Sequence, residues 1–401
     1  MVWGWIISQL CRIIQCKFLI AEQGHFRYSY DFSFRKKRGR LRDNGSKRTT
    51  QKGNMKHYKV GLVGIGAVGT EMVKVLRQRK FPTSEIRILA TRERDEEVAG
   101  ETFHVLETKA EAFDGLDFVL FAGTEGSKGA SKMWGWEAVK RGAIVIDNGD
   151  DYRMDDRVPL VIPEINPEAL DKHQGFIANP NCSTIITLMG IAPLHRANPL
   201  KHMTAVTFQS VSGTGRSAID ELDAQVRAYA ASGNTPADAR MANVQKSAYP
   251  HQIAFNVLPQ IGSAKKEMPG FTTEEAKMTF ESRKILGVPD LQIGCTCVRV
   301  PVFYAHSVAI HAQFTNPFTP EEVREIIKKA PGVKLTDDLA ASQYPLPLDI
   351  QHGDDVGVGR IRIDSSRENG MALWCCGDNI RKGAAQNAVQ IAEEMIQRGL
   401  I

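Results

Sequence analysis

Cys182 lies in the run Gly175-Phe-Ile-Ala-Asn-Pro-Asn-Cys-Ser-Thr-Ile-Ile-Thr-Leu-Met189. Apolar, strand-like residues come first, a Pro-Asn turn follows, and an apolar helical stretch comes last. This order predicts a thiol at the mouth of a helix, just past the end of a strand. Unpaired N–H groups and the positive end of the helix dipole collect there, and both stabilise a thiolate. A second run, Gly64-Ile-Gly-Ala-Val-Gly69, has the spacing of a dinucleotide-binding loop. A thiolate beside a nicotinamide cofactor points to hydride transfer through a thioester. The competing reading makes Cys182 a small buried hydrophobe, as most single cysteines are.

The elements around the glycine run decide how it reads. Lys59-Val-Gly-Leu-Val63 is a short buried-strand pattern, and Thr70 to Arg79 is a helical one. In that context Gly64 permits the tight turn and Gly66 lets a pyrophosphate approach the backbone. Gly69 lets the helix pack on the strand, the helix N-terminus faces the phosphates, and Ala67 and Val68 within the loop are expected cofactor contacts as well. The alternative is a glycine-rich packing turn. The next strand, Ile86-Arg-Ile-Leu-Ala90, ends in Thr91-Arg92, where NAD-specific folds place an acid for the ribose 2′-hydroxyl. Thr91 and Arg92 suit a 2′-phosphate, so NADP is the expected cofactor. Glu93 and a merely solvated Arg92 argue the other way. Further strands are expected at Phe118–Ala122 and Ala143–Asp147, with a helix ending near Val139 between them. This strand–helix alternation implies a Rossmann-type, doubly wound parallel sheet.

Past Cys182 the rhythm changes. Val206 to Val211 reads as a strand that runs into Gly213-Thr-Gly215, and Ser217 to Ala231 as a polar helix. Glu274 to Lys284 reads as a charged helix. Cys297 to Phe303 and Ser307 to Phe314 read as strands joined at a turn that contains His306. Without strict alternation these elements predict a second, α+β domain with an open sheet. An amphipathic helix around Glu393 closes the chain.

Together these runs resemble the aspartate-β-semialdehyde dehydrogenase family, from about Lys59 to the C-terminus. They are Gly64–Gly69, Asp147-Asn-Gly-Asp-Asp-Tyr-Arg153, Asn179-Pro-Asn-Cys-Ser-Thr184, Gln209-Ser-Val-Ser-Gly-Thr-Gly215, Phe255-Asn-Val-Leu-Pro259, Glu274–Lys277, Cys297-Val-Arg-Val-Pro301 with His306-Ser307, and Asp378-Asn-Ile-Arg-Lys-Gly-Ala-Ala385. The resemblance implies NADPH-dependent reduction of β-aspartyl phosphate to aspartate semialdehyde and phosphate, a step toward lysine, threonine and methionine. It implies Cys182 as nucleophile, His306 as acid/base and Gln209 as the residue orienting the acyl-enzyme. It implies Arg299 as clamp on the substrate α-carboxylate and Glu274 opposite the α-amino group. Lys277, Arg153 and Asn181 would hold the phosphoryl group. To the cofactor contacts it adds Gly123, Thr124, Ser212, Gly213 and Asn379, and it implies a homodimer. Without the resemblance, His306 reads as a surface turn residue, Arg299 as a strand-edge charge, and Glu274 with Lys277 as a helix-surface pair. Two departures stand out. Gly149-Asp150-Asp151 replaces expected serines, adding negative charge near a phosphate site, and Gly123-Thr-Glu-Gly-Ser127 carries an extra acid.

Composition bounds the remaining readings. The chain has 401 residues, 42% apolar and 24% charged, as in ordinary globular proteins. The net charge of +5 is misleading, because residues 1–54 hold twelve Lys/Arg against three Asp/Glu. The remainder is mildly acidic, which argues against nucleic-acid binding. The seven cysteines, Cys11, Cys16, Cys182, Cys295, Cys297, Cys375 and Cys376, form no disulfide framework and no zinc-finger spacing. Reduced thiols in a cytoplasmic protein without a metal are expected. Residues 1–54 read as a basic, disordered or non-native extension, with Met55 as the expected start and an organelle transit peptide as the alternative. Their apolar part, Val2 to Ile20, is interrupted by Arg12 and Lys17 and is too short to span a membrane. The expected domains are a dinucleotide-binding unit at 55–181, completed by 378–401, and a catalytic and dimerisation unit at 182–377. The runner-up enzyme is N-acetyl-γ-glutamyl-phosphate reductase, whose motif has glycine where Asn181 stands. A glyceraldehyde-3-phosphate dehydrogenase lacks support, since Ser-Cys-Thr-Thr is absent. A catalytically dead dinucleotide-binding paralogue is the reading from another class.

Overall fold

The computed structural model describes residues 56–123, 129–233, 235–241, 244 and 246–401. Within the unit Met55–Ile401 two sheets form. The strands of the first are β1 (Tyr58–Val63), β2 (Thr83–Ala90), β3 (Arg94–Val98), β4 (Glu101–Glu107), β5 (Phe118–Phe121), β6 (Ile144–Asp147) and β7 (Phe176–Ala178). Their order is β3-β4-β2-β1-β5-β6-β7. All neighbours pair in parallel except β3 with β4. The strand order reverses at β1, between β2 and β5, and ligands of such sheets sit beyond the strand ends at that point. Gly64 and Gly123 stand there, both with positive φ.

β1, β5 and β6 are short apolar runs because both of their faces are covered. Helix α1 (Ala67–Gln78) packs Met72, Val73 and Leu76 against Val60 and Leu62 of β1. The C-terminal helix α8 (Gln386–Gln397) joins this cluster through Val389, Ile391 and Met395. Helix α2 (Ala130–Lys140) packs on the opposite face.

The strands of the second sheet are β8 (Leu200–Gln209), β9 (Gln292–Arg299), β10 (His306–Phe314), β11 (Val333–Leu335), β12 (Val356–Ile363) and β13 (Gly370–Gly377). Their order is β11-β12-β13-β10-β8-β9. The β8–β9 and β11–β12 pairs are parallel and the others antiparallel, so the sheet is mixed as an α+β domain requires. Around it lie α3 (Cys182–Ala197), α4 (Arg216–Ser232), α5 (Thr273–Leu286), α6 (Pro320–Lys329) and the short α7 (Pro347–Ile350). Helix α3 is buried without a break from Ser183 to Ala192. An all-round apolar helix has to be a core helix. Its apolar cluster takes in residues of both sheets, so its first residue, Cys182, starts where the two meet.

One local expectation is corrected, and one element, the hairpin β3–β4, went unmarked in the sequence. Its charged residues alternate along an edge strand, whose outer side water can solvate. His306 is not in an exposed turn. It is the first residue of β10, pairs in register with Gly377, and is fully buried. Among the described residues no helix is long and apolar enough to cross a membrane.

Candidate active site

Asn181 caps helix α3, and its Oδ1 accepts the Ser183 and Thr184 N–H groups at 2.9 and 3.2 Å. The cap fixes Cys182 at the first turn, as the strand–turn–helix order predicts. The surroundings of the thiol work against the expected thiolate. Burial pushes the Cys182 thiol up to about 12, and Glu274 pushes the same way against the opposing pull of Arg299 and Arg153. The Ser183 N–H pulls the thiol back down, but it is shared with Asn181 Oδ1, so the helix mouth offsets only part of the desolvation. Cys182 keeps part of its surface open and lines a cavity of about 470 Å³.

The same cavity gathers Asn181, Arg153, Gln209, Glu274, Lys277, Arg299, Gly213 and Asn379. Gln209 ends β8 and lies in register with Arg299 at the end of β9. The Gln209 side-chain Oε1 accepts from Thr207, and its Nε2 donates to Glu274 at 3.1 Å. Glu274 Oε1 also accepts from Asn181 Nδ2 at 2.9 Å. Arg299 Nη1 donates to the Ser210 carbonyl at 2.6 Å, while its buried Nε has no partner among the described residues. Arg153 donates to Glu281 and to the Asn148 carbonyl. Lys277 Nζ lies 3.0 Å from Asp150 and 3.8 Å from Glu274. The helix-surface reading of Glu274 and Lys277 therefore fails, since one face of α5 forms the cavity wall.

His306 stands behind Gly213. A Cβ at position 213 would lie 3.0 Å from Arg299 Nη1 and 3.2 Å from His306 Nε2, so only glycine leaves both tips bare. The Ser210 backbone N–H donates to His306 Nδ1 at 3.0 Å. A neutral ring with Nδ1 accepting carries its proton on Nε2. That Nε2 is buried and has no partner among the described residues. Burial, then Arg299, holds the imidazole well below its ordinary range. His306 is thus a neutral Nε2–H donor.

The cofactor groove, about 760 Å³, is lined by Gly64, Gly66, Ala67, Val68, Gly69, Thr91, Gly123, Ser212 and Gly213. Gly69 is packed tightly, because a Cβ there would lie 2.1 Å from the Gly64 carbonyl. Gly66 has nothing within 4 Å of such an atom, so its backbone is open to a ligand. These are the separate tasks the sequence assigns to the glycines, and the residues fit a dinucleotide. Arg92 is exposed, and Arg94, two residues on, lines the groove instead. Asn379 is tied to Ser210, Ser212 and the Ala305 N–H, so it braces the catalytic end. Thr124 and the acid of its loop lie outside the described residues. Val68, Ala122, Gly123, Ser212, Gly213 and Thr214 line both cavities.

Residues 59–173 match the family model described as semialdehyde dehydrogenase, NAD binding domain, and residues 191–382 the one described as semialdehyde dehydrogenase, dimerisation domain. A Synechocystis aspartate-semialdehyde dehydrogenase is 44% identical over 85% of this chain and 98% of its own. The chain belongs to the aspartate-semialdehyde dehydrogenase family. The crystal structure of aspartate semialdehyde dehydrogenase II from Vibrio cholerae superposes with TM-score 0.78, at 37% identity over 85% of this chain and 99% of its own. The same enzyme complexed with ASA superposes equally well, at 36% identity.

Sequence reading missed several supports of this family site. Ser210 sets the His306 tautomer, yet it sat unmarked inside a quoted run. Glu281 is fully buried and accepts from Arg153 and from the Asn181 N–H at 2.7 Å. Its position seven residues after Glu274 places it on the same face of α5. Gly383 lets the C-terminal turn touch Cys182, since a Cβ there would lie 2.8 Å from that of Cys182.

Asp147 yields a pH prediction. Burial raises its carboxyl from 3.8 to about 6, against the pull of the Gly149 N–H, the Ser131 hydroxyl and Arg153. A raised folded value means the ionised carboxylate costs stability. That cost is absent below the unfolded value of 3.8 and complete above 6, roughly 2–3 kcal/mol. Asp147→Asn is therefore expected to melt higher than the parent at pH 7.5, with the gap closing toward pH 4. A gap that does not change with pH contradicts this origin.

Proposed function

We propose that the chain interconverts L-4-aspartyl phosphate and L-aspartate 4-semialdehyde plus phosphate, using NADP(H) and a thioester on Cys182. The observation that carries this reading is the wall common to the cofactor groove and the Cys182 cavity. A shared wall is what a hydride carrier and an acyl-forming thiol need if both are to reach the same carbon. The nicotinamide supplies or accepts the hydride when bound. Arg299 orients the substrate carboxylate and Glu274 its ammonium. That ammonium cancels the charge that helps keep Cys182 protonated, which favours the thiolate when substrate is present. Cys182 gives up its proton to solvent and its Sγ forms the bond to the carbonyl carbon as the C=O π pair moves onto oxygen; collapse of that centre breaks the acyl C–O bond and releases phosphate, leaving the thioester. His306 shares its Nε2 proton with the developing oxyanion and keeps it as the tetrahedral centre collapses. Gln209 holds the acyl group, and Arg153, Lys277 and Asn181 receive the phosphoryl group.

Phosphate-dependent NADP reduction with L-aspartate semialdehyde, run beside N-acetylglutamate semialdehyde, tests the substrate. Only the first is expected to turn over, and preference for the second would establish the runner-up. The dimerisation domain supports a homodimer placed in amino-acid biosynthesis, and light scattering on the active protein reads the assembly. For the cofactor, Thr91 and Arg94 line the groove at the end of β2, with Arg92 beside them. NADP is expected to be preferred over NAD, and Arg92→Ala and Arg94→Ala each to narrow the preference by raising the NADP KM. Equal use of NAD by the parent contradicts the assignment.

A further inference from the structure

We propose that Asp150 sets the affinity of this site for its phosphoryl group, acting as a built-in competitor for Lys277. The inference rests on the function proposed above. Lys277 is one of the two cations assigned to the phosphoryl group, and its side chain is largely buried in the cavity wall. Its Nζ lies 3.0 Å from Asp150 Oδ2, closer than the 3.8 Å to Glu274. The other cation, Arg153, is held by Glu281, and Asp150 is also near enough to raise the Arg153 pKa. Both phosphoryl-facing charges therefore meet the ligand already countered by a carboxylate.

A phosphate oxygen in contact with Lys277 Nζ sits at most about 6 Å from the Asp150 carboxylate, the sum of two such contacts. Repulsion between the two anions is then unavoidable unless Asp150 swings away, and Lys277 has to be shared. Asp150 is only partly buried and makes no contact with Cys182, Gln209 or Arg299 in this site. Its effect should fall on phosphate and acyl-phosphate binding and not on the acyl-forming step.

The experiment is steady-state, phosphate-dependent oxidation of L-aspartate semialdehyde by the full chain, comparing the parent with Asp150→Asn, Asp150→Ser, Lys277→Met and the Asp150→Asn/Lys277→Met pair. Both Asp150 substitutions are expected to lower the KM for inorganic phosphate about 10-fold, the effect of removing one charge at this range in a partly solvated site. The KM for the aldehyde should move far less. In the Lys277→Met background the gain should shrink, because the part that acts through competition for that lysine is lost while direct repulsion remains. A phosphate KM that rises or stays constant in both Asp150 variants overturns the proposal, as does an undiminished gain without Lys277. A folded parent with no phosphate-dependent turnover would overturn the proposed function instead.

Discussion

Cys182→Ala is expected to lose phosphate-dependent turnover by at least about 10⁴-fold while NADP binding stays near the parental value. The cofactor groove and the substrate cavity share a wall, but Cys182 lines only the latter. Chemistry and cofactor affinity should therefore separate. The state of the thiol sharpens the test. With burial pushing it up to about 12, the thiolate fraction of the free protein grows about tenfold per pH unit through the neutral range. Alkylation of the Cys182 peptide, followed by mass spectrometry, should rise accordingly from pH 6 to pH 9 without levelling. Glu274→Gln removes the second-largest cause of the upward shift and should speed alkylation. A plateau near pH 7 would mean the helix mouth does hold a thiolate. Appreciable turnover by Cys182→Ala would end the nucleophile assignment.

His306→Ala should lower kcat by about 10²- to 10⁴-fold with little change in the aldehyde KM. Its Nε2–H is the buried donor left unpartnered behind Gly213, aimed where charge develops only during reaction. Arg299→Lys should do the reverse. It keeps the charge but loses the planar fork, and the KM should rise about 10- to 100-fold, the worth of one charge-assisted hydrogen bond. The pH profile carries the same logic. The neutral ring is the active form and its pKa is depressed, so His306 should contribute no loss of activity between pH 8 and pH 6. The loss comes only at lower pH, as the ring gains its second proton. Near-normal kcat in the His306 variant, or a defect confined to its aldehyde KM, contradicts the role.

The cofactor half was the most legible part of the sequence. Its signals are local: a buried strand, glycines with distinct steric duties, and a helix start, all within one short run. The Asn181–Cys182 turn was legible for the same reason. The burial of His306 was not, because it depends on pairing with Gly377, far along the chain. The groups that oppose a thiolate were not legible, because the helix mouth is a local feature whereas Glu274 and the burial come from elsewhere in the fold. Glu281 and Ser210 were invisible as site residues, since their roles arise only when α5 and the end of β8 are brought against α3 and β10. The edge hairpin β3–β4 was hidden by its own solvated charges. Arg94 at the groove went unmarked because it opens the edge strand β3, which the sequence pattern did not reveal.

The central claim is the thioester on Cys182. Mixing the full chain with NADP and L-aspartate semialdehyde, without phosphate, and quenching rapidly tests it most directly. The account predicts a burst of NADPH close to one per active site and an aspartyl adduct on the Cys182 peptide, discharged when phosphate is added. Steady turnover with phosphate but neither burst nor adduct in its absence would contradict it.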